Sequence, residues 1–258
     1  MPQVRLSRQQ AVERFHLQFS RLFLSGRDRS KFAIKGGCNL RFFFGSIRYS
    51  EDLDLDVTVG MQPYILKDRM TKVLASAPLT AVLQSGGIRV VSVTTPKQTD
   101  TTQRWKLMLE AVGHPMPLNT KIEFSRRAFD KTSLVEPIAS GIAREHGLIV
   151  FVAPHYPVRA AIEQKVRALV GRVATQARDV FDLAVLFSMS ESSTGSLDAV
   201  RNLVPAAIDL VATMRYRDYV AQVVGYLVRD QVAAYATQKA WDAIQLDVIR
   251  GLEEVAGT

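Results

Sequence analysis

Six consecutive residues, Asp52-Leu53-Asp54-Leu55-Asp56-Val57, constrain this chain more than any other feature. Carboxylates and aliphatics alternate with the period of a β-strand. Asp52, Asp54 and Asp56 therefore share one face, and Leu53, Leu55 and Val57 the other. Three anions side by side repel, and the arrangement is tolerable only where positive charge sits among them. Mg²⁺, a hard cation that takes carboxylate oxygens and bridges to substrate phosphates, fits that need. Upstream, Lys35-Gly36-Gly37-Cys38-Asn39-Leu40-Arg41 supplies a glycine pair, suited to close approach of backbone to phosphate ahead of a helix N-terminus. Together the two segments imply a metal-dependent nucleotide site.

A chain of 258 residues, 47% hydrophobic, can build one large domain or two modest ones. Lys plus Arg outnumber Asp plus Glu by 33 to 25, a net charge of +8 that favours polyanionic partners such as nucleic acid. The single cysteine, Cys38, rules out an internal disulfide and fits a reducing compartment. The opening Met1-Pro2-Gln3-Val4-Arg5 has no apolar core of a signal peptide, and no stretch is long and apolar enough to span a bilayer. The expectation is a cytoplasmic protein without a membrane partner.

Apolar residues at helical spacing (Val12, Phe15, Phe19, Leu22, Phe23) predict a helix from about Ser7 to Leu24. Phe32-Ala33-Ile34 reads as a short strand, Cys38 to Phe44 as a helix ended by Gly45, Ser50 to Val59 as the carboxylate strand, and Tyr64 to Ala75 as a helix. Ile88 to Thr94, Arg104 to Ala111 and Thr120 to Ser125 read as strands, with Pro115 and Pro117 punctuating the connection before the last. Leu148 to Val152 is a further apolar run. Beyond Pro157 the pattern turns helical, with Val158 to Leu169, Thr175 to Phe187, a Ser/Gly-rich break at Ser188 to Ser196, and further helices from Leu197 to Val255. The expected architecture is an α/β catalytic domain with a mixed sheet over residues 1–156, followed by a helical C-terminal domain over 157–258.

Two further constellations carry chemistry. In Lys121-Ile122-Glu123-Phe124-Ser125, strand alternation puts Lys121, Glu123 and Ser125 on one face. Beside the aspartate strand, Glu123 would be a third carboxylate of the kind that two-metal phosphoryl transfer requires, or a group that takes the proton of an attacking hydroxyl. Lys165 lies on an otherwise apolar helix with Ile162, Val166 and Leu169, placed to neutralise a triphosphate. Asp179 and Asp182, three apart, share one face of the next helix and would orient Lys165 or Arg178, or close the site. Taken singly, each of these charges would read as ordinary helix or strand surface.

The ordered set Lys-Gly-Gly-x-x-Leu-Arg, Gly-x-x-Arg-x-Ser-x-Asp-Leu-Asp, Lys-Ile-Glu-x-Ser, and Glu-x-Lys-x-x-Ala-Leu with Arg-Asp-x-x-Asp-Leu resembles the AbiEii/AbiGii nucleotidyltransferase toxins of the DNA polymerase β-type superfamily. The resemblance spans roughly Phe32 to Leu186. It implies a toxin of a type IV toxin–antitoxin or phage-abortive-infection system that transfers NMP from an NTP to the 3′ acceptor end of tRNA and so blocks translation. It also implies Mg²⁺, or Mn²⁺, as cofactor and a cognate antitoxin as partner. By resemblance, Asp52 and Asp54 bind metal with Glu123 as third acid, Gly36 and Gly37 line the triphosphate, Lys165 contacts it, and Asp179 is the acid of the last motif. Lys35 belongs to the same nucleotide-binding set. Where the family carries Thr or Ser after the glycine pair, this chain has Cys38, a weaker donor, which shifts phosphate binding toward backbone N–H groups, Ser50 and Arg48. Gly45-Ser46 lies too close to Asp52 to be the preferred glycine-serine motif.

Asp56 is left outside the metal set, as a residue of the cleft edge or the partner of a basic side chain. Arg41, Arg48, Arg126 and Arg127 are candidate contacts to nucleotide or RNA phosphates. Cys38 reads as a small buried side chain, with no histidine recognisably placed to activate it. His16, His114, His146 and His155 lack metal-ligand spacing, and Phe42, Phe43 and Phe44 read as core. Two rival functions remain: transfer to a protein or small-molecule hydroxyl, the latter disfavoured by the positive charge, and a catalytically silent binding module, disfavoured by the intact carboxylates.

Overall fold

The computed structural model describes residues 5–127, 129, 132–189 and 198–257, with only the backbone for 255–257. It divides into two compact units: one holds the chain up to Phe43 and Tyr49–His155, the other Phe44–Arg48 and the chain from Tyr156 onward.

The first unit is built on a mixed sheet of β1 (Phe32–Lys35), β2 (Leu53–Val57), β3 (Ile88–Gln98), β4 (Thr102–Ala111), β5 (Leu118–Ser125), β6 (Leu134–Pro137) and β7 (Val152–His155). Their order across the sheet is β3-β4-β5-β2-β1-β7-β6. The β2–β5 and β1–β7 pairs are parallel, and the other neighbours antiparallel. Alternation decides which side is dry. Ile34, Leu53, Leu55, Trp105, Leu107, Ile122 and Phe124 are buried on one face, whereas Asp54, Arg104, Lys106, Lys121 and Glu123 keep access to solvent on the other.

The dry face is covered first by α1 (Arg8–Phe23), which starts at a Ser7 capping box closed by Gln10. Its Phe23 ring packs edge-on against Phe32 at 5.0 Å and meets Phe124 at 5.3 Å. α2 (Gly36–Phe43), α3 (Pro63–Leu74), α4 (Ala77–Ser85) and α5 (Ser140–Glu145) complete the unit. Phe42 is core; Phe43 is only partly buried and stacks on His155 at 3.7 Å, and Phe44 opens the segment that joins the second unit.

Several expectations shift. The glycine pair forms the first turn of α2 rather than preceding it, and the carboxylate strand is limited to Leu53–Val57, leaving Asp52 on the bend that feeds it. α4, α5 and β6 lack strong periodicity and were not expected. The apolar run Leu148 to Val152 precedes the strand, which is Val152–His155 and contains Pro154, opposite Val135 of β6.

The second unit is helical: α6 (Val158–Gly171), α7 (Ala177–Phe187), α8 (Val204–Thr213), α9 (Tyr216–Gln222), α10 (Val232–Tyr235) and α11 (Gln238–Gly257). Trp241 of α11 is fully buried and stacks on Tyr219 of α9 at 4.6 Å. Residues 44–48 join this unit by backbone pairing, with an Arg48–Leu227 bridge and the Val228 N–H donating to the Ile47 carbonyl at 2.9 Å. Most of the expected Ser/Gly break, residues 190–196, lies outside the described residues. No helix among the described residues is long and apolar enough to cross a membrane.

Candidate active site

Strand register gathers the acidic residues of the first unit. Lys35 of β1 stands opposite Asp54 of β2, Asp54 opposite Glu123 of β5, and Glu123 opposite Arg104 of β4. Most of the carboxylates have a cation. Lys121 Nζ is 2.7 Å from Asp52 Oδ2, Arg104 Nε 2.5 Å from Glu123 Oε2, and Lys35 Nζ 2.5 Å from Asp56 Oδ1. Asp54 takes part in no ion pair among the described residues. Its partial burial, with Asp52 and Glu123 nearby, pushes its carboxyl above the ordinary aspartate value despite Lys121 and Lys35. Asp52, Asp56 and Glu123 each have a cation of their own, and Asp54 does not.

Gly36 explains why a glycine stands beside it. Its φ is +65°, and a Cβ there would lie 3.2 Å from Asp54 Oδ2, so both conformation and space favour hydrogen. The first N–H groups of α2, which have no intrahelical acceptor, begin at this point.

Beneath Asp52 runs a buried polar chain not foreseen from sequence. The Asp52 carbonyl accepts from Ser50 Oγ at 2.9 Å and from Cys38 Sγ at 3.2 Å, and the Glu51 carbonyl accepts from Thr120 Oγ1 at 2.7 Å. His16 joins them, with Nε2 2.7 Å from Thr120 Oγ1 and Nδ1 3.7 Å from Cys38 Sγ. Since the Thr120 hydroxyl donates to Glu51, its oxygen accepts from His16 Nε2–H, which leaves Nδ1 as acceptor. A histidine stands beside Cys38 but does not activate it, and Cys38 is the small buried side chain expected. Burial holds His16 down at about 3, and burial together with the charges of Asp54, Glu13 and Asp52 pushes the thiol well above its ordinary value. Ser50 and Cys38 thus brace the backbone of Asp52; the hydroxyl expected to bind phosphate already donates to a carbonyl.

The second unit holds the other acidic pair. Asp179 and Asp182 of α7 are fully buried and face Lys165 of α6, whose Nζ is 3.0 Å from Asp179 Oδ1 and 2.5 Å from Asp182 Oδ2. Asp182 also takes a forked pair from Arg48, at 2.8 Å and 2.9 Å from Nη2 and 3.1 Å from Nε. Arg172 Nε approaches Asp179 Oδ2 to 2.8 Å without the alignment of a hydrogen bond. Burial alone would lower the lysine, but Asp182 and Asp179 outweigh it and hold Lys165 above its ordinary value. Burial likewise opposes ionisation of Asp182, and Arg48 and Lys165 overcome it. The two aspartates orient Lys165, as expected, but their arginine partners are Arg48 and Arg172 rather than Arg178.

Most of the arginines expected at phosphates are structural. Arg48 is committed to Asp182. Arg41 is buried between Glu13 and Glu145, at 2.7 Å and 3.0 Å, and lies over the Tyr49 ring. Arg126 donates to the Met61 carbonyl and to Gln103 in the interior. Arg127 is exposed. Glu13, Glu145 and His146 bring ligand atoms within 4.8 Å of one another, yet the Arg41 guanidinium already supplies the positive charge there, and this cluster is a structural ion-pair network. Lys35 is held by Asp56, the basic partner foreseen for that aspartate.

The residues sequence reasoning missed, Arg104, His16 and Thr120, all act across strand or helix contacts. Only the pairing of β4 with β5 puts Arg104 beside Glu123.

A family model for the AbiEii nucleotidyl transferase toxin of type IV toxin–antitoxin systems matches residues 21–255. The chain belongs to the AbiEii family. It is accordingly a nucleotidyltransferase of the toxin class, a family membership that implies an NTP substrate and a cognate antitoxin. The fold is shared with JHP933 from Helicobacter pylori, at 17% identity and a TM-score of 0.64 over 98% of this chain and 94% of that one. It is shared too with an H. pylori protein described as a candidate nucleotidyltransferase, at 18% identity and a TM-score of 0.62 over 98% and 96%. No curated protein sequence matches this AbiEii-family chain.

Proposed function

We propose that this AbiEii-family enzyme transfers NMP from an NTP to the 3′ hydroxyl of RNA, at the acceptor end of tRNA, and thereby blocks translation in the cytoplasm. The observation that carries the reading is Asp54, a partly buried carboxylate without an ion pair, beside Asp52 and Glu123 and against the glycine that opens α2. An all-oxygen, net-negative donor set fits a hard divalent ion, and Mg²⁺ or Mn²⁺ is the proposed cofactor. Asp52 and Asp54 would hold it, with Glu123 as third acid. Bound there, such an ion supplies positive charge to the attacking and leaving oxygens.

The chain's own groups do the rest. N–H groups at the start of α2 bind phosphate oxygens of the triphosphate. Glu123 takes the proton of the acceptor hydroxyl as its oxygen bonds to the α-phosphorus; the bond from that phosphorus to the bridging oxygen breaks, and pyrophosphate leaves.

The test is incubation of the protein with Mg²⁺, total tRNA and each α-³²P-labelled NTP in turn, with Asp52→Ala in parallel. Labelled tRNA is expected from the wild type, reduced about 10²–10³-fold or more in the variant, the scale of losing one electrostatic contributor. Label on protein or on a small molecule would replace the acceptor, and full activity in a folded Asp52→Ala protein would remove the mechanism.

A further inference from the structure

The solvent face of the sheet does not end at the carboxylates. The register row Lys35–Asp54–Glu123–Arg104 continues to Lys97 of β3. A second row runs beside it, from Lys121, the partner of Asp52, to Lys106 of β4 and Thr94 of β3. The first row is acidic on β2 and β5 and basic on β4 and β3, and the second adds Lys121 and Lys106 beside it on β5 and β4. Adjacent strands lie about 4.8 Å apart, so Arg104 and Lys97 step away from Glu123 at that interval.

Arg104 and Lys121 are engaged by Glu123 and Asp52, whereas Lys106 is exposed and Lys97 half-buried, and neither pairs with a carboxylate among the described residues. Lysines on an edge strand also discourage edge-to-edge association, which would account for Lys97 on β3. It does not account for Arg104 and Lys106, which lie on β4, between two strands. Nor does packing: Trp105, Leu107 and Leu109 bury the opposite face of β4 and leave this one open.

We propose that the outer face of β3, β4 and β5 is the track for the acceptor RNA, with Lys97 and Lys106 binding backbone phosphates just upstream of the 3′ end that reaches Asp52, Asp54 and Glu123. The assignment rests on the RNA-directed transfer proposed above. Charge complementarity selects the occupant: a graded row of cations leading to a carboxylate cluster suits a polyanion whose terminal hydroxyl, rather than its phosphates, must reach the acids.

The experiment measures binding of a fluorescent RNA with a single-stranded 3′ end, without NTP, across a salt series. Wild type is compared with the Lys97→Ala/Lys106→Ala double variant and with Lys97→Arg/Lys106→Arg. Each lost phosphate contact should lower the slope of log K against log salt by about 0.7, so the double alanine variant should lose about 1.4, with an unchanged melting temperature. The arginine pair should restore the slope. In the transfer assay, the alanine variant should show a raised KM for RNA and an unchanged KM for NTP. An unaltered slope would overturn the track while leaving RNA transfer standing if label still appears on RNA. A wild type that binds no RNA, or a basic row that captures an acidic protein instead, would overturn it as well. Label on a protein acceptor would separately remove the function on which it rests.

Discussion

The two acidic clusters use the same residue types to opposite ends. In the helical unit, Asp179 and Asp182 are fully buried and face Lys165, Arg48 and Arg172, so positive charge matches or exceeds negative. On the sheet of the first unit, Asp52 and Glu123 keep partial access to water and Asp54 lacks an ion pair. Taking charge out of water is affordable only with well-placed partners, so the helical cluster is compensated internally. One carboxylate of the sheet cluster is left without an ion pair, which is what a site awaiting a charged ligand requires. Perturbed carboxylates mark both places, and only the degree of compensation separates a structural network from a candidate site.

The contrast breaks most visibly at Asp182. In Asp182→Ala, Arg48 loses its forked partner and Lys165 one of two carboxylates, all in the interior. A loss on the order of 3–5 kcal/mol is expected, read as a shifted urea midpoint with an unchanged m-value. A shift below about 1 kcal/mol would mean that the cluster is not the compensated network described above. Next in size is Gly36→Ala. A left-handed backbone costs an L-residue roughly 1–2 kcal/mol, and the new methyl would also press on Asp54 Oδ2. Transfer activity should fall further than that loss of stability alone explains, because the atom displaced belongs to the proposed site. Equal, small effects on both would detach Gly36 from the chemistry.

Legibility in the sequence follows how local each feature is. Strand alternation exposed the acidic face of β2 and β5, and helical spacing exposed α1, because each pattern repeats within one element. The short α5 and β6 offered too few residues for a period to emerge. For the basic residues, type was readable and commitment was not: Arg41, Arg48 and Arg126 look alike in sequence, and only tertiary packing shows that Glu13, Asp182 and Gln103 have claimed them. A proline is a poor strand signal, yet Pro154 lies within β7, where the β1 side registers only at Ile34–His155 and the missing N–H leaves that pair intact. The transfer of residues 44–48 to the helical unit rests on a backbone bridge to Leu227, which no local pattern announces.

The smallest expected effect is the sharpest, because its sign is opposite to the usual one. Asp54 is held above the ordinary aspartate value by burial and by Asp52. A carboxyl raised in the folded state binds its proton more tightly there than in the unfolded chain. Its contribution to stability is therefore greatest below the unfolded value of 3.8 and is lost as pH rises through the folded one. At neutral pH the ionised Asp54 is a net cost, and Asp54→Asn should raise Tm in the absence of divalent metal while abolishing transfer. For a chain of this size each kcal/mol corresponds to about 2–4 °C. The gain should shrink as pH falls and the wild-type carboxyl takes up its proton. Millimolar Mg²⁺ should narrow or reverse the difference at pH 7, since a ligand that binds only the folded wild-type site stabilises it by mass action. The calorimetric comparison at pH 7 and pH 4, with and without Mg²⁺, reads all of these at once. A variant less stable than wild type at pH 7 without metal would show that Asp54 is compensated after all, and the distinction between the two clusters would fail at its central residue.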